Sequence, residues 1–243
     1  MEMSEPRYLL IQIRDADDPI RHQEVDCFAA ALDCSRDAIT VFDLLKQSLQ
    51  PADLADIDMV MIGGSGRYSV TSDAPWMQVA LGSLQRLLDA GKPTFASCWG
   101  FQALARAAGG TVIHDLPHAE LGSNPVYLTE AGRLDPIFSQ LPLRFLAYMG
   151  HEDRVIEMPP ATTLLASNDN VAQQAFRFDD RPIYCTQFHP ELTLDSLMDR
   201  IAAYPEYCER IAKIPYEVFR QQCHAATESE TLLRVFRDHF LGK

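Results

Sequence analysis

Through the first half of the chain, apolar residues come in short unbroken runs. Each run is followed by a stretch in which apolar positions recur every three or four residues. Residues 7–13 (RYLLIQI), 38–42 (AITVF), 58–62 (DMVMI) and 94–97 (TFAS) are runs of strand length. A strand covered on both faces reads this way, because neither side of its pleat meets water. Between them, residues 19–32 place Val25, Phe28, Ala29 and Leu32 at helical spacing, and 76–90 forms a second amphipathic helix stopped by Gly91 and Pro93. Residues 99–108 form a third helix, closed by Gly109 and Gly110. Strand alternating with helix predicts an α/β fold, an open, mostly parallel sheet with helices on both faces.

The pattern changes in the second half. Residues 126–129, 145–148, 154–157, 163–166, 172–178 and 183–187 are short strand candidates, separated by segments rich in Gly, Pro, Asn and Asp. These segments leave little room for crossover helices, so antiparallel strand additions are expected. From residue 194 the pattern is helical again, interrupted at Pro205 and Pro215. With no repeat and no linker, 1–243 reads as one domain, a core over about 7–195 with a helical C-terminal extension over about 196–243.

Composition narrows the functional classes. A formal net charge of −13 opposes binding to a phosphate backbone, so no nucleic-acid partner is expected. No apolar stretch is long enough to span a membrane, and the opening residues lack a basic region followed by an apolar run. A cytoplasmic location follows as the expectation. The six cysteines contain no CxxC pair, and there is no P-loop, dinucleotide fingerprint or cluster of metal-ligand spacing. No cofactor and no metal are implied.

One cysteine has a chemical context. In KPTFASCWGFQALARAAGG an apolar strand runs straight into a helix, with Cys98 at the junction. A strand–nucleophile–helix turn is so tight that the residues two before and two after must be small, here Ala96 and Gly100. Such a turn holds a side chain over the carboxyl edge of the sheet, where ligands bind in open α/β folds. A cysteine nucleophile needs a base. Of seven histidines, His189 ends an apolar strand (PIYCTQF) and is followed by Pro190 and Glu191. Glu191 is close enough in sequence to orient the imidazole and favour one tautomer.

These residues resemble the class I (triad) glutamine amidotransferases, of the kind found in GMP synthetase. That family's elbow reads roughly G-x-C-x-G-x-Q, matched here by Ala96, Cys98, Gly100 and Gln102, and its H-P-E string by His189, Pro190 and Glu191. Ala96 replaces the first glycine and is still small. IGGSGRYSV resembles the family's oxyanion loop, with Ser65 where a proline is usual. AELGSNPVYLT resembles the part that binds the glutamine backbone, and GHEDRVIEM a further family block carrying His151 and Asp153.

The resemblance implies a flavodoxin-like sheet and a catalytic triad of Cys98, His189 and Glu191. It also implies an oxyanion hole from the N–H groups of Gly64 and Trp99, and substrate contacts at Gln102, Gly122 and Ser123. His151 and Asp153 are expected to shape the site rather than to form a second catalytic pair, since the triad already fills each role. The implied activity is release of ammonia from glutamine through a cysteinyl thioester. Two other readings stand beside it, a free-standing γ-glutamyl amide or peptide hydrolase and an inactive binding or regulatory relative. The expected partners are glutamine or a γ-glutamyl small molecule, and a synthetase subunit or a second copy of the chain.

Overall fold

The computed structural model describes residues 5–242. Residues 1–4, part of the segment read for a leader, and residue 243 lie outside the described residues. In chain order the first half contains β1 (Tyr8–Gln12), α1 (Ile20–Leu32), β2 (Ile39–Asp43), α2 (Pro51–Leu54), β3 (Met59–Ile62), α3 (Pro75–Ala90), β4 (Thr94–Ser97) and α4 (Trp99–Ala107). The second half contains β5 (Thr111–His114), β6 (Glu120–Leu128), α5 (Glu130–Leu134), β7 (Arg144–His151), β8 (Asp153–Glu157), β9 (Thr162–Ser167), β10 (Ala175–Phe178) and β11 (Ile183–Thr186). Three helices close the chain, α6 (Leu194–Ala203), α7 (Tyr216–Gln222) and α8 (Leu232–Leu241).

Among the described residues one sheet has the order β2-β1-β3-β4-β11-β10-β9-β6-β7. Its first five strands run parallel, and the remaining four are added antiparallel. The parallel strands β1, β3, β4 and β11 are buried at every position, which is why they read as unbroken apolar runs. A separate hairpin-like pair joins β5 to β8.

Two apolar layers sandwich the sheet. On one face Met77, Leu84 and Leu87 of α3 pack with Trp99, Phe101 and Leu104 of α4. On the other, Val25, Phe28 and Leu32 of α1 pack with Leu232, Leu233 and Phe236 of α8. Phe236 lies edge-on to Phe95 at 5.3 Å and to Tyr184 at 5.6 Å. Each such aromatic contributes about 1.5–3 kcal/mol through burial. The C-terminal extension therefore closes the protein's own core with part of its apolar surface.

The strand expected over 126–129 is longer than the pattern suggests, because β6 begins at Glu120. Pro125 sits inside it, where a proline would normally break a ladder. Here β6 pairs with β7 along its length, while β9 reaches only Tyr127 and Leu128. The absent N–H of Pro125 therefore interrupts no bonding to β9. Three elements without a sequence expectation are the four-residue α2, β5, partly exposed throughout, and the five-residue α5.

Candidate active site

Strands β4 and β11 are parallel neighbours, with Ser97 opposite Thr186. Their carboxyl ends therefore deliver Cys98 and His189 to the same edge of the sheet. The Cys98 N–H donates to Thr186 O at 2.8 Å, extending the ladder by one residue before the chain turns into α4. At that turn Cys98 has φ 51° and ψ −102°, in the positive-φ region that L-residues rarely occupy. Gly100 makes the turn possible: a Cβ there would lie 2.8 Å from the Ile62 side chain and 2.9 Å from its carbonyl oxygen. Ala96, two residues before Cys98, is fully buried.

His189 is buried, and its N–H donates to Tyr148 O at 2.9 Å. Its Nδ1 lies 2.7 Å from Glu191 Oε1. Donation of Nδ1–H to that carboxylate leaves Nε2 for the Cys98 sulfur, with which the ring interacts. Burial pushes the imidazole down, but Glu191 and Cys98 outweigh it and hold His189 up at about 9. Burial likewise pushes Glu191 up, and His189 followed by Arg200 outweighs it, holding the carboxyl at about 2. Cys98 Sγ also lies 3.7 Å from Gly150 O, at the end of β7.

Arg200, on α6, is a residue that sequence patterning passed over. Its Nη1 lies 3.4 Å from Glu191 Oε1 and 3.5 Å from His189 Nδ1, and its Nε donates to Gln23 Oε1 at 3.1 Å. No local signal marks it, since it sits in an ordinary amphipathic helix and reaches the site only through tertiary packing.

The loop after β3 is the floor opposite His189. A Cβ on Gly64 would come within 3.1 Å of His189 Cε1, so glycine permits the approach of loop and imidazole. A Cβ on Gly63 would collide with Glu24 Oε1, because a buried ion pair lies directly beneath. Arg14 Nη2 and Nε bind the two oxygens of Glu24 at 2.9 and 3.0 Å, and Arg14 Nη1 reaches Asp18 at 3.3 Å and the Tyr204 hydroxyl at 3.1 Å. The N–H groups of Gly64 and Trp99 have no acceptor among the described residues.

Gln102 lines the cleft beside Cys98, though its amide N–H groups are taken by Asp153 O at 2.7 Å and Gln187 Oε1 at 3.1 Å. Gly122 and Ser123 lie elsewhere. A Cβ on Gly122 would touch Cys223 Sγ and Phe219, and Ser123 Oγ accepts the His224 N–H at 2.8 Å. Both serve the docking of the segment around α7, and neither lines the space around Cys98. His151 has both ring nitrogens engaged, Nε2 with Glu120 at 3.0 Å and Nδ1 with Asp153 O at 3.1 Å. That leaves it no free nitrogen for proton transfer at the cleft. Among the described residues no group of three or more His, Cys, Asp or Glu is arranged to hold a metal ion, and no helix is long and apolar enough to cross a membrane.

An open α/β sheet with a cysteine elbow on one strand and a His–Glu pair at the end of the next defines the class. Residues 28–202 match the glutamine amidotransferase class-I family, and the chain belongs to it. It is 29% identical over 168 residues to the GMP synthase (glutamine-hydrolyzing) of Thermosipho africanus, a match covering 69% of this chain but only 29% of that protein. It is 30% identical over 149 residues to a GMP synthase (glutamine-hydrolyzing) subunit from Ignicoccus hospitalis, covering 61% of this chain and 74% of that one. The crystal structure of a glutamine amidotransferase from Thermotoga maritima superposes with a TM-score of 0.75 at 20% identity, over 98% of this chain and 99% of that chain. The likeness in fold thus includes the helical C-terminal end.

Proposed function

We propose that the chain releases ammonia from the side-chain amide of glutamine, with Cys98 as nucleophile, His189 as acid and base, and Glu191 as the group that orients His189. The observation that supports this reading most directly is the placement of Cys98 and His189 on the ends of two adjoining parallel strands, with Glu191 2.7 Å from the imidazole. The Cys98 thiolate attacks the carboxamide carbon, and the N–H groups of Gly64 and Trp99 receive the developing oxyanion. His189 protonates the departing nitrogen, the C–N bond breaks, and a glutamyl thioester remains. His189 then takes a proton from water as it attacks the thioester, and glutamate leaves with the thiolate restored. The Ignicoccus relative is one subunit of its GMP synthase, which supports a separate synthetase as the consumer of the ammonia here.

The test follows ammonia and glutamate from the purified chain with glutamine and with a panel of γ-glutamyl amides. Stoichiometric release from glutamine, accelerated by a synthetase, is the expected result. Fast turnover of another γ-glutamyl amide with glutamine left intact would assign the chain to the γ-glutamyl hydrolases instead. A Cys98 that resists a glutamine-shaped electrophile would point to an inactive relative.

The pH dependence has a definite sign. His189 sits above its ordinary 6.5, so its imidazolium persists through neutral pH and is lost as pH rises through about 9. The stability its pairing supplies is fully present below 6.5 and goes over the same rise. The contribution of Glu191 is present above its ordinary 4.5 and is lost as pH falls through about 2. Turnover is therefore expected to fall on the alkaline side as pH passes about 9. Glu191→Gln removes the carboxylate that holds the proton, so it is expected to move that alkaline limb to lower pH. A profile of kcat against pH checks this, and an unmoved limb in the variant would count against the His189–Glu191 assignment.

A further inference from the structure

The loop after β3 has glycine at three of its first four positions, Gly63, Gly64 and Gly66. Glycine visits many backbone conformations, so such a loop does not keep one shape through its own torsions. Its first anchor is on α4, where the Gly100 N–H donates to Gly63 O at 3.2 Å. In a trans peptide the N–H points opposite to the carbonyl, so this bond turns the Gly64 N–H away from Gly100. Gly64 there borders the space around Cys98 and His189. The far end of the loop is tied by the Tyr68 hydroxyl, which donates to Asp15 at 2.6 Å.

Between those ends the support comes from the C-terminal extension. The Tyr207 hydroxyl donates to Gly66 O, and burial raises the phenol so that it keeps the proton it donates. Among the described residues this is the one hydrogen bond to the main chain of 64–66 from outside the loop. Tyr204 closes the other side. Gly66 has φ 72°, and a Cβ there would lie 2.8 Å from the Tyr204 hydroxyl and 2.9 Å from Cζ, so the loop rests against that ring. The Tyr204 hydroxyl is itself held, donating to Asp18 Oδ1 at 2.7 Å and accepting from Arg14 Nη1 at 3.1 Å. The Tyr207 ring is fixed as well. It lies edge-on to Tyr204 at 5.9 Å, with the Arg210 guanidinium over it at 5.9 Å. Arg210, in the π-helical turn Cys208–Ala212, is anchored in turn by donation from Nε to Glu152 Oε1 at 2.8 Å.

Resting on the reading of Cys98 as an amidase nucleophile with Gly64 as an oxyanion donor, we propose that Tyr207 is a positioning residue for the oxyanion hole. Its hydroxyl, on Gly66 O, holds the glycine-rich loop in the arrangement that leaves the Gly64 N–H turned to the cleft. A preorganised donor stabilises the transition state because it need not be reoriented as charge develops. Cys98 and His189 sit on the ends of β4 and β11 and do not depend on this loop for their placement. Loss of the Tyr207 hydroxyl should therefore weaken the oxyanion hole and leave the thiolate as it is.

The test compares two reactions of the same sulfur in the wild-type chain and in Tyr207→Phe. Ammonia release from glutamine passes through an oxyanion. Alkylation of Cys98 by iodoacetamide, read by mass spectrometry, displaces iodide from a saturated carbon and forms none. Tyr207→Phe keeps the ring and removes only the hydroxyl. It is expected to lower kcat about tenfold, the loss of one hydrogen bond that fixes the donor. KM and the rate of alkylation by iodoacetamide are expected to stay at their wild-type values. Thermal unfolding of the variant sets a temperature at which it is fully folded, and both rates are taken there. An unchanged kcat would overturn the proposal. So would equal slowing of the two reactions, which would place the effect on the thiolate or on the fold, and so would a raised KM with kcat intact. Turnover of another γ-glutamyl amide in place of glutamine sinks the glutaminase reading alone, and the same comparison is then read with that amide. Alkylation by iodoacetamide with no turnover of any amide sinks both.

Discussion

His189→Ala is expected to lower ammonia release by about 10²–10⁴-fold while leaving the protein folded. In the proposed mechanism, loss of the imidazole removes both the proton donor to the leaving nitrogen and the base that activates water. The fold should survive because Glu191 keeps a charged partner, Arg200 Nη1 at 3.4 Å. Position 189 also keeps its main-chain bond to Tyr148 O. His151→Ala should show the reverse. It strips a partner from Glu120, a buried carboxylate that would keep only Gln174 and Asn168. Its main effect should be on stability, with turnover at a permissive temperature little changed. Steady-state ammonia release and thermal unfolding of both variants decide the matter. A crippled His151→Ala with an active His189→Ala would require the triad to be redrawn.

Arg14→Met should cost about 3–5 kcal/mol of unfolding free energy, the range for removing one partner of a buried ion pair. Arg14 and Glu24 have side chains 2% and 0% exposed. Without the guanidinium, Glu24 would be left with Gln12 Nε2 at 3.0 Å as its remaining side-chain donor. The variant also loses the contact from Arg14 to Tyr204, which ties the first strand's loop to the C-terminal extension. Replacing both ends, Arg14→Met with Glu24→Leu, should recover much of the loss, because no charge is then stranded. The apolar side chain must still fit under Gly63, which Glu24 closely underlies. Urea unfolding of the single and double variants measures both quantities. A single-variant loss below about 1 kcal/mol, the range of an exposed pair, would show that the pair is not buried in solution.

The parallel half of the sheet was legible because its strands have no wet face. β1, β3 and β4 read as apolar runs, β1 stopping at Arg14, β3 at Gly63 and β4 at Cys98. The antiparallel half was less so. β5 is partly exposed at each position and carries no alternation, and Pro125 disguised the start of β6, which pairs on one side only there. The grouping of Cys98, His189 and Glu191 was legible because each member has a local signature: small residues around Cys98, and a strand end at His189 with Glu191 two residues on. Arg200, Tyr207 and Arg210 have none. They lie in helical turns whose sequence records which face is apolar, not which distant strand end that face will meet. Gly122 and Ser123 show the converse. Their likeness to a substrate-binding stretch marked a strand, and the neighbours that strand finds in this chain are Phe219, Cys223 and His224.

The backbone of Cys98, held at φ 51° and ψ −102°, sets a conflict between persistence and chemistry at one position. An L-residue in such a conformation costs on the order of 1–3 kcal/mol, which the surrounding strands and α4 must absorb. Glycine would carry no such penalty. Any descendant of this chain released from the need for a sulfur there could gain stability by a single exchange to glycine. A cysteine kept at that position is therefore kept against a standing thermodynamic incentive to lose it.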